Sequence, residues 1–173
     1  ETKVQSKQRE AIEKRGREPM QSWGLTDPGC VRKQNQDSYR IEQLDRGNLL
    51  CIVCDGMGGA KSGNIASSLA VDVFVEEVRR CWKPVMEQDK VDQMLRSAVK
   101  LANFTVYDQS RQFEEFDGMG TTLVAVMVRG RKATVVNVGD SRAYHVGKSG
   151  IRQVTKDHSL VQMMVDRLSL IHI

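Results

Sequence analysis

Residues 121–138 read TTLVAVMVRGRKATVVNV, two apolar runs rich in β-branched side chains, parted by a short turn at Gly130. No crossover helix fits between them, so the two runs are predicted to pair antiparallel. RAYHV (142–146) and IRQVT (151–155) follow at similar short spacing, with turns at Gly139 and at Gly147–Gly150. Toward the N-terminus, DSYRIEQ (37–43) and NLLCIVC (48–54) flank Asp45-Arg46-Gly47 and suit a hairpin. Two stretches of helical spacing lie between these groups. Gly63 to Trp82 carries Ile65, Ala66, Leu69, Val73, Phe74 and Val78, and the stretch after Asp89 carries Val91, Met94, Leu95, Ala98, Leu101, Ala102 and Val106. Strands, two helices, then more strands define an α+β class with antiparallel sheet. Leu123, Ala125 and Met127 alternate with Thr122, Val124 and Val126, so that strand is apolar on both faces and predicts a sheet covered on both sides, a sandwich.

The 173 residues suffice for one well-buried domain. Residues 1–19 alternate basic and acidic side chains and read as a solvated tail or linker; the domain is expected over 20–167, with a divergent tail at 168–173. A net charge of +4 is mild, Lys and Arg are dispersed among acids, and aromatics are 5%, which argues against a nucleic-acid reader. No run approaches the roughly 18 apolar residues of a membrane span. The charged start ETKVQSKQRE lacks an apolar signal core, and four cysteines are too few for a disulfide scaffold. The expected setting is the cytoplasm, with reduced thiols.

The stretch CIVCDGMGGAKSGN (51–64) places Asp55 where an apolar run meets a burst of glycines. A phosphate-binding P-loop needs G-x-x-x-x-G-K-[ST]; Lys61-Ser62 are present, but Ala60 stands before them where the glycine belongs. The dinucleotide pattern G-x-G-x-x-G fails as well, because Lys61 follows Gly56 and Gly58 at the third glycine position. A carboxylate would also repel a pyrophosphate on the same turn. A metal site remains: Asp55 held by a strand, Gly56 bare enough for its own carbonyl to approach the same ion, and hard oxygen donors suited to Mg²⁺ or Mn²⁺. Gly58 and Gly59 then allow a sharp turn into the helix.

Asp37, in VRKQNQDSY, and Asp140, in VVNVGDSRAY, also stand at junctions of strand and turn. Carboxylates about 4 Å apart repel by roughly 4 kcal/mol at an effective dielectric of 20, so convergence of these acids implies a cation. Arg32, five residues before Asp37, offers a planar fork that matches phosphate oxygens. Divalent metal beside an arginine is the minimum for phosphoryl hydrolysis.

VRKQNQDSY, VCDGMGGAKSGNIASS, DGMGTTLVAV, VVNVGDSRAY and VTKDHSLVQMMVD, in that order from about Trp23 to Arg167, resemble the bacterial branch of the metal-dependent type 2C serine/threonine protein phosphatases. The resemblance implies an antiparallel β-sandwich flanked by α-helices on both faces, incomplete here at the C-terminus. It implies a manganese or magnesium pair, with a third ion in some members, and hydrolysis of phosphoserine or phosphothreonine by a metal-activated water without a phospho-enzyme. Asp55 matches the acid bridging both metals, Gly56 the carbonyl ligand, Asp37 the acid near the pair, Arg32 the phosphate-binding arginine, and Asp140 an acid of the third site. Gln36 occupies a place where some members have Glu, and Met57 stands where animal members carry a histidine general acid. Implied substrates are proteins phosphorylated by a bacterial Ser/Thr kinase, and the expected state is a monomer. Two further metal-binding aspartates of the family are absent before the divergent LSLIHI, so the chain as written is expected to be weak or inactive. The alternative is a non-catalytic fragment or phosphoprotein-binding module of the same fold.

Other conspicuous residues read as structural. Cys51 and Cys54 are i and i+3 on a strand and face opposite sides, and no second pair completes a zinc site. Asp157-His158-Ser159 resembles a triad in composition only, since adjacent residues cannot form a spatial relay; it is expected to shape a turn. Asp117, in the second DGMG, precedes a strand and is not counted as a ligand.

Overall fold

The computed structural model describes residues 20–30, 34–58 and 62–158. Among these the order is β1 (Asp37–Asp45), β2 (Asn48–Met57), α1 (Gly63–Cys81), α2 (Gln88–Gln112), a 3₁₀ turn (Glu114–Phe116), β3 (Gly120–Thr121), β4 (Leu123–Arg129), β5 (Lys132–Val138), β6 (Tyr144–Gly147) and β7 (Gly150–Gln153). The α+β class with antiparallel pairing holds throughout. β1, β2, β4 and β5 lie side by side in that order, β3 continues beside β2, and β6 and β7 form a separate hairpin.

The first hairpin turns at Arg46-Gly47, where Gly47 takes φ +95°, a conformation that side chains disfavour. Trp82 Nε1 donates to Asp45 Oδ2 at 3.0 Å and ties this turn to the end of α1. Helix α1 stops because Pro84 disfavours helical backbone at the residue before it. Arg79 and Arg80 in its last turn suit the negative end of the helix dipole.

β2 alternates cleanly. Leu50, Ile52, Cys54 and Gly56 are buried beneath the helices, whereas Val53, Asp55 and Met57 are exposed on the other side. Leu123, Ala125 and Met127 of β4 join the inner row. Against it α1 sets Ala66, Ala70, Phe74 and Val78, and α2 sets Val91, Leu95, Ala98 and Ala102, at the spacing expected of one helical face. Each large side chain in this layer contributes about 1.5–3 kcal/mol by leaving water.

β1 inverts the usual pattern. From Ser38 to Glu42 its inner face is polar and is met by α1, and only Leu44 beyond them packs against the core: Ser38 Oγ lies 3.0 Å from the hydroxyls of both Ser67 and Ser68, Arg40 reaches Asp72 at 2.5 Å, and Glu42 accepts from Arg79 at 2.9 Å. Its apolar residues Tyr39 and Ile41 therefore sit on the outer face, opposite Val53 and Cys51. That outer face is apolar, as the alternation of β4 predicted, and it is only partly covered among the described residues: Leu49 and Val124 are buried, but Tyr39 and Val53 are exposed.

Two boundaries differ from the sequence expectation. β2 runs on through Asp55 to Met57, so Asp55 lies inside the strand and not at its end. The cause is pairing on both sides, with Asp37 of β1 opposite Asp55 and β3 opposite Gly56 and Met57. The run expected over 121–128 is broken at Thr122, for a reason that belongs to the site.

Candidate metal-binding edge

Asp37 and Asp55 are register partners on neighbouring strands. The Gly56 amide donates to the Gln36 carbonyl at 3.0 Å, so 36 and 56 form the hydrogen-bonded pair. Asp37 and Asp55 are thereby the non-hydrogen-bonded pair, the geometry that brings opposing Cα atoms to about 4.5 Å and side chains closest. Both residues are exposed on the outer face. Asp37 is steered locally as well, its amide donating to Asn35 Oδ1 at 3.0 Å.

The row continues across the sheet. The β2–β4 pairs and the β2–β3 pairs share one register, which places Thr122 opposite Asp55. The β4–β5 register likewise brings Gly139 opposite Thr122. A Cβ on Gly139 would stand 2.8 Å from Thr122 Cγ2, and Gly139 has φ +97°, so glycine is required there on both counts. Asp140 follows directly. Its loop therefore leaves the sheet at the end where Asp37 and Asp55 pair.

Thr122 leaves the ladder because its side chain takes over a ladder bond. The Asp55 amide donates to Thr122 Oγ1 at 3.0 Å, while the Thr122 amide donates to the Asp55 carbonyl at 2.9 Å. The Thr121 hydroxyl lies 3.0 Å from the same carbonyl and 2.9 Å from that of Thr122, and its one proton is shared between them. Thr122 Oγ1 also lies 2.6 Å from Ser141 Oγ. The Asp140 loop is fixed from beyond as well: the His158 amide donates to the Gly139 carbonyl at 2.9 Å, and Arg142 grips Asp157 through Nε at 3.0 Å and Nη2 at 2.7 Å. Hydrogen bonding to Arg142 holds the Asp157 carboxyl below its ordinary range.

Gly56 has a packing role that its sequence position did not reveal. A Cβ there would lie 2.0 Å from the Gly63 carbonyl oxygen and 2.7 Å from that of Gln36. The start of α1 thus presses against β2 one residue past Asp55. Gln36 Nε2 reaches the Gly58 carbonyl at 3.5 Å and closes the same corner.

Among the described residues, no group of three or more His, Cys, Asp or Glu side chains is arranged to hold a metal. The structure therefore brings together Asp37 and Asp55 as a pair and leaves Asp140 outside a three-acid cluster. Arg32 lies outside the described residues. A hydrated magnesium-class ion is often held by one or two carboxylates, with waters filling the remaining octahedral positions, so the donor chemistry of the pair fits such an ion.

The readings of the cysteines and of the second DGMG agree with the geometry. Cys54 is buried and Cys51 half-buried on the opposite side, and burial pushes the Cys54 thiol up to about 12. Asp117 and Gly118 form the turn into β3. Thr122, Ser141 and the Arg142–Asp157 pair were not singled out by sequence, since nothing local distinguishes a threonine in a strand from one that bonds to a distant amide.

The sequence pattern of the family described as Protein phosphatase 2C matches residues 31–162. The chain belongs to this family. It is 32% identical over 143 residues to serine/threonine phosphatase stp of Listeria welshimeri, a match spanning 81% of this chain and 55% of that protein. The fold superimposes on the crystal structure of serine/threonine phosphatase Stp1 from Staphylococcus aureus with a TM-score of 0.73 and 36% identity, covering 82% of this chain and 55% of that one. It also superimposes on the catalytic domain of the phosphatase PstP in complex with two manganese ions, with a TM-score of 0.66, 32% identity, and 82% and 57% of the two chains covered. The chain thus spans little more than half the length of these relatives. Among the described residues no helix is long and apolar enough to cross a membrane.

Proposed function

We propose that the Asp37–Asp55 edge is the divalent-metal site of a protein serine/threonine phosphatase, and that the protein to which this chain contributes hydrolyses phosphoserine and phosphothreonine esters in proteins. The observation that carries the reading is the register that sets these two carboxylates side by side on the exposed face of the sheet. Asp37 and Asp55 would hold Mn²⁺ or Mg²⁺ with the Gly56 carbonyl, Asp140 would serve an additional weaker ion, and Arg32 would hold the phosphate. Such ions supply Lewis acidity and lower the pKa of water. The chain's own contribution is a rigid carboxylate pair. Exposure to solvent lets a phosphorylated side chain reach it, and the Arg32 fork would orient that phosphate without contributing a proton. Substrates would be targets of a Ser/Thr kinase, and the working state a cytoplasmic monomer.

The test is turnover of p-nitrophenyl phosphate and a phosphothreonine peptide by the full chain with Mn²⁺. Turnover that disappears in Asp55→Ala supports the reading; turnover that survives both Asp55→Ala and Asp37→Ala contradicts it. A second reading, a phosphoprotein-binding module without turnover, is favoured by the limited donor set, since the described residues bring two acids together and not three. Retained Mn²⁺ and phosphopeptide binding with no hydrolysis would establish that alternative.

A further inference from the structure

Resting on the metal reading of Asp37 and Asp55, we propose that Thr122 is a positioning residue. Its hydroxyl fixes the backbone of Asp55 and couples it through Ser141 to the loop that carries Asp140.

A regular antiparallel ladder would satisfy the Asp55 amide with the carbonyl of the residue opposite. Here that residue is Thr122, and the amide is satisfied by its side chain, at 3.0 Å. The register is the same before and after Thr122, so the break does not serve to shift the strand. What the break does is turn a hydroxyl toward Asp55. Oγ1 accepts from the Asp55 amide and still has a proton and a lone pair for Ser141 Oγ, 2.6 Å away. Thr122 is 3% exposed, so water does not compete for these bonds.

The Asp55 carbonyl is held just as closely, by the Thr122 amide, while the Thr121 hydroxyl shares its one proton between this carbonyl and that of Thr122. Both polar groups of the Asp55 peptide units on this side are therefore bound to one dipeptide. The methyl of Thr122 is pressed against Gly139, one residue before Asp140. Threonine meets both demands, a hydroxyl on one branch and a methyl on the other. Outer contacts that orient metal ligands commonly change metal affinity 10–100-fold when removed.

The test compares Thr122→Val, which keeps the shape and loses the hydroxyl, with Thr122→Ser, which keeps the hydroxyl. Two readouts are taken on the full chain: exchange of the Asp55 amide proton by NMR, and Mn²⁺ affinity by calorimetric titration. Thr122→Val is expected to speed Asp55 amide exchange at least tenfold and to weaken Mn²⁺ binding about 10-fold or more. Thr122→Ser is expected to leave both within about threefold of the parent chain, on the same scale of effects. Unchanged Asp55 exchange in Thr122→Val overturns the inference, and so does faster exchange with unaltered Mn²⁺ affinity. A parent chain that takes up no Mn²⁺, while Thr122→Val still speeds exchange, overturns the metal reading and supports the positioning contact. If Thr122→Val does not fold, Ser141→Ala decides: faster exchange across residues 139–142 and at Asp55 supports the coupling, and unchanged exchange overturns it.

Discussion

The two faces of the sheet teach different lessons about the same four strands. On the inner face, Leu50, Ile52, Ala125 and Met127 are nearly inaccessible and meet two helices. On the outer face, one residue further along each strand, Tyr39 and Val53 are exposed, and Asp37 and Asp55 stand paired at the edge. The inner face supplies the buried apolar packing, while the outer face carries the two paired carboxylate residues. The proposed site and the packed core are separated by the two-residue period of the strand.

The largest break in this contrast should come from the inner face. Phe74→Ala removes a fully buried ring from α1 and is expected to destabilise the chain by about 3–5 kcal/mol, measured by urea unfolding. A loss below 1 kcal/mol would mean that the helices are not the main support. Gly56→Ala strikes where the two regions meet. The new methyl would collide with the Gly63 backbone, and a cost of about 1–3 kcal/mol is expected, together with weakened Mn²⁺ binding as Asp55 shifts. Unchanged stability would show that the start of α1 yields freely. Val53→Thr, on the outer face, should fall within about 0.5 kcal/mol of the parent in the same unfolding experiment. A cost comparable to Phe74→Ala would show that a packed layer covers this face.

The architecture was legible wherever periodicity was strong. The hairpin around Arg46-Gly47 and the strand pair around Gly130 follow from apolar runs with glycine turns, and the observed strands differ from expectation by a few residues. Helix α2 runs on to Gln112, past the last periodic apolar residue Val106, because the buried position that follows is the polar Ser110, which carries no apolar signal. Asp37 and Asp55 were legible as candidates because each stands at a junction of strand and turn in the sequence pattern. Their pairing was not, since it depends on register, which local sequence does not state. The polar inner face of β1 was also hidden. Ser38, Arg40 and Glu42 find their partners in α1, roughly thirty residues away or more, and no local pattern announces them. Asp157 is a similar case: its sequence neighbours suggested only a turn, whereas its partner Arg142 precedes the β6–β7 hairpin that Asp157 follows.

The most direct test of the central claim, that Asp37 and Asp55 together hold a divalent cation, is the shift in melting temperature on adding Mn²⁺ to the parent chain, Asp37→Asn and Asp55→Asn. A ligand at a hundred times its dissociation constant stabilises the folded state by about 2.7 kcal/mol, which raises the melting point by several degrees. The account predicts that rise for the parent and its near-complete loss in both variants. An equal rise in all three proteins would contradict it.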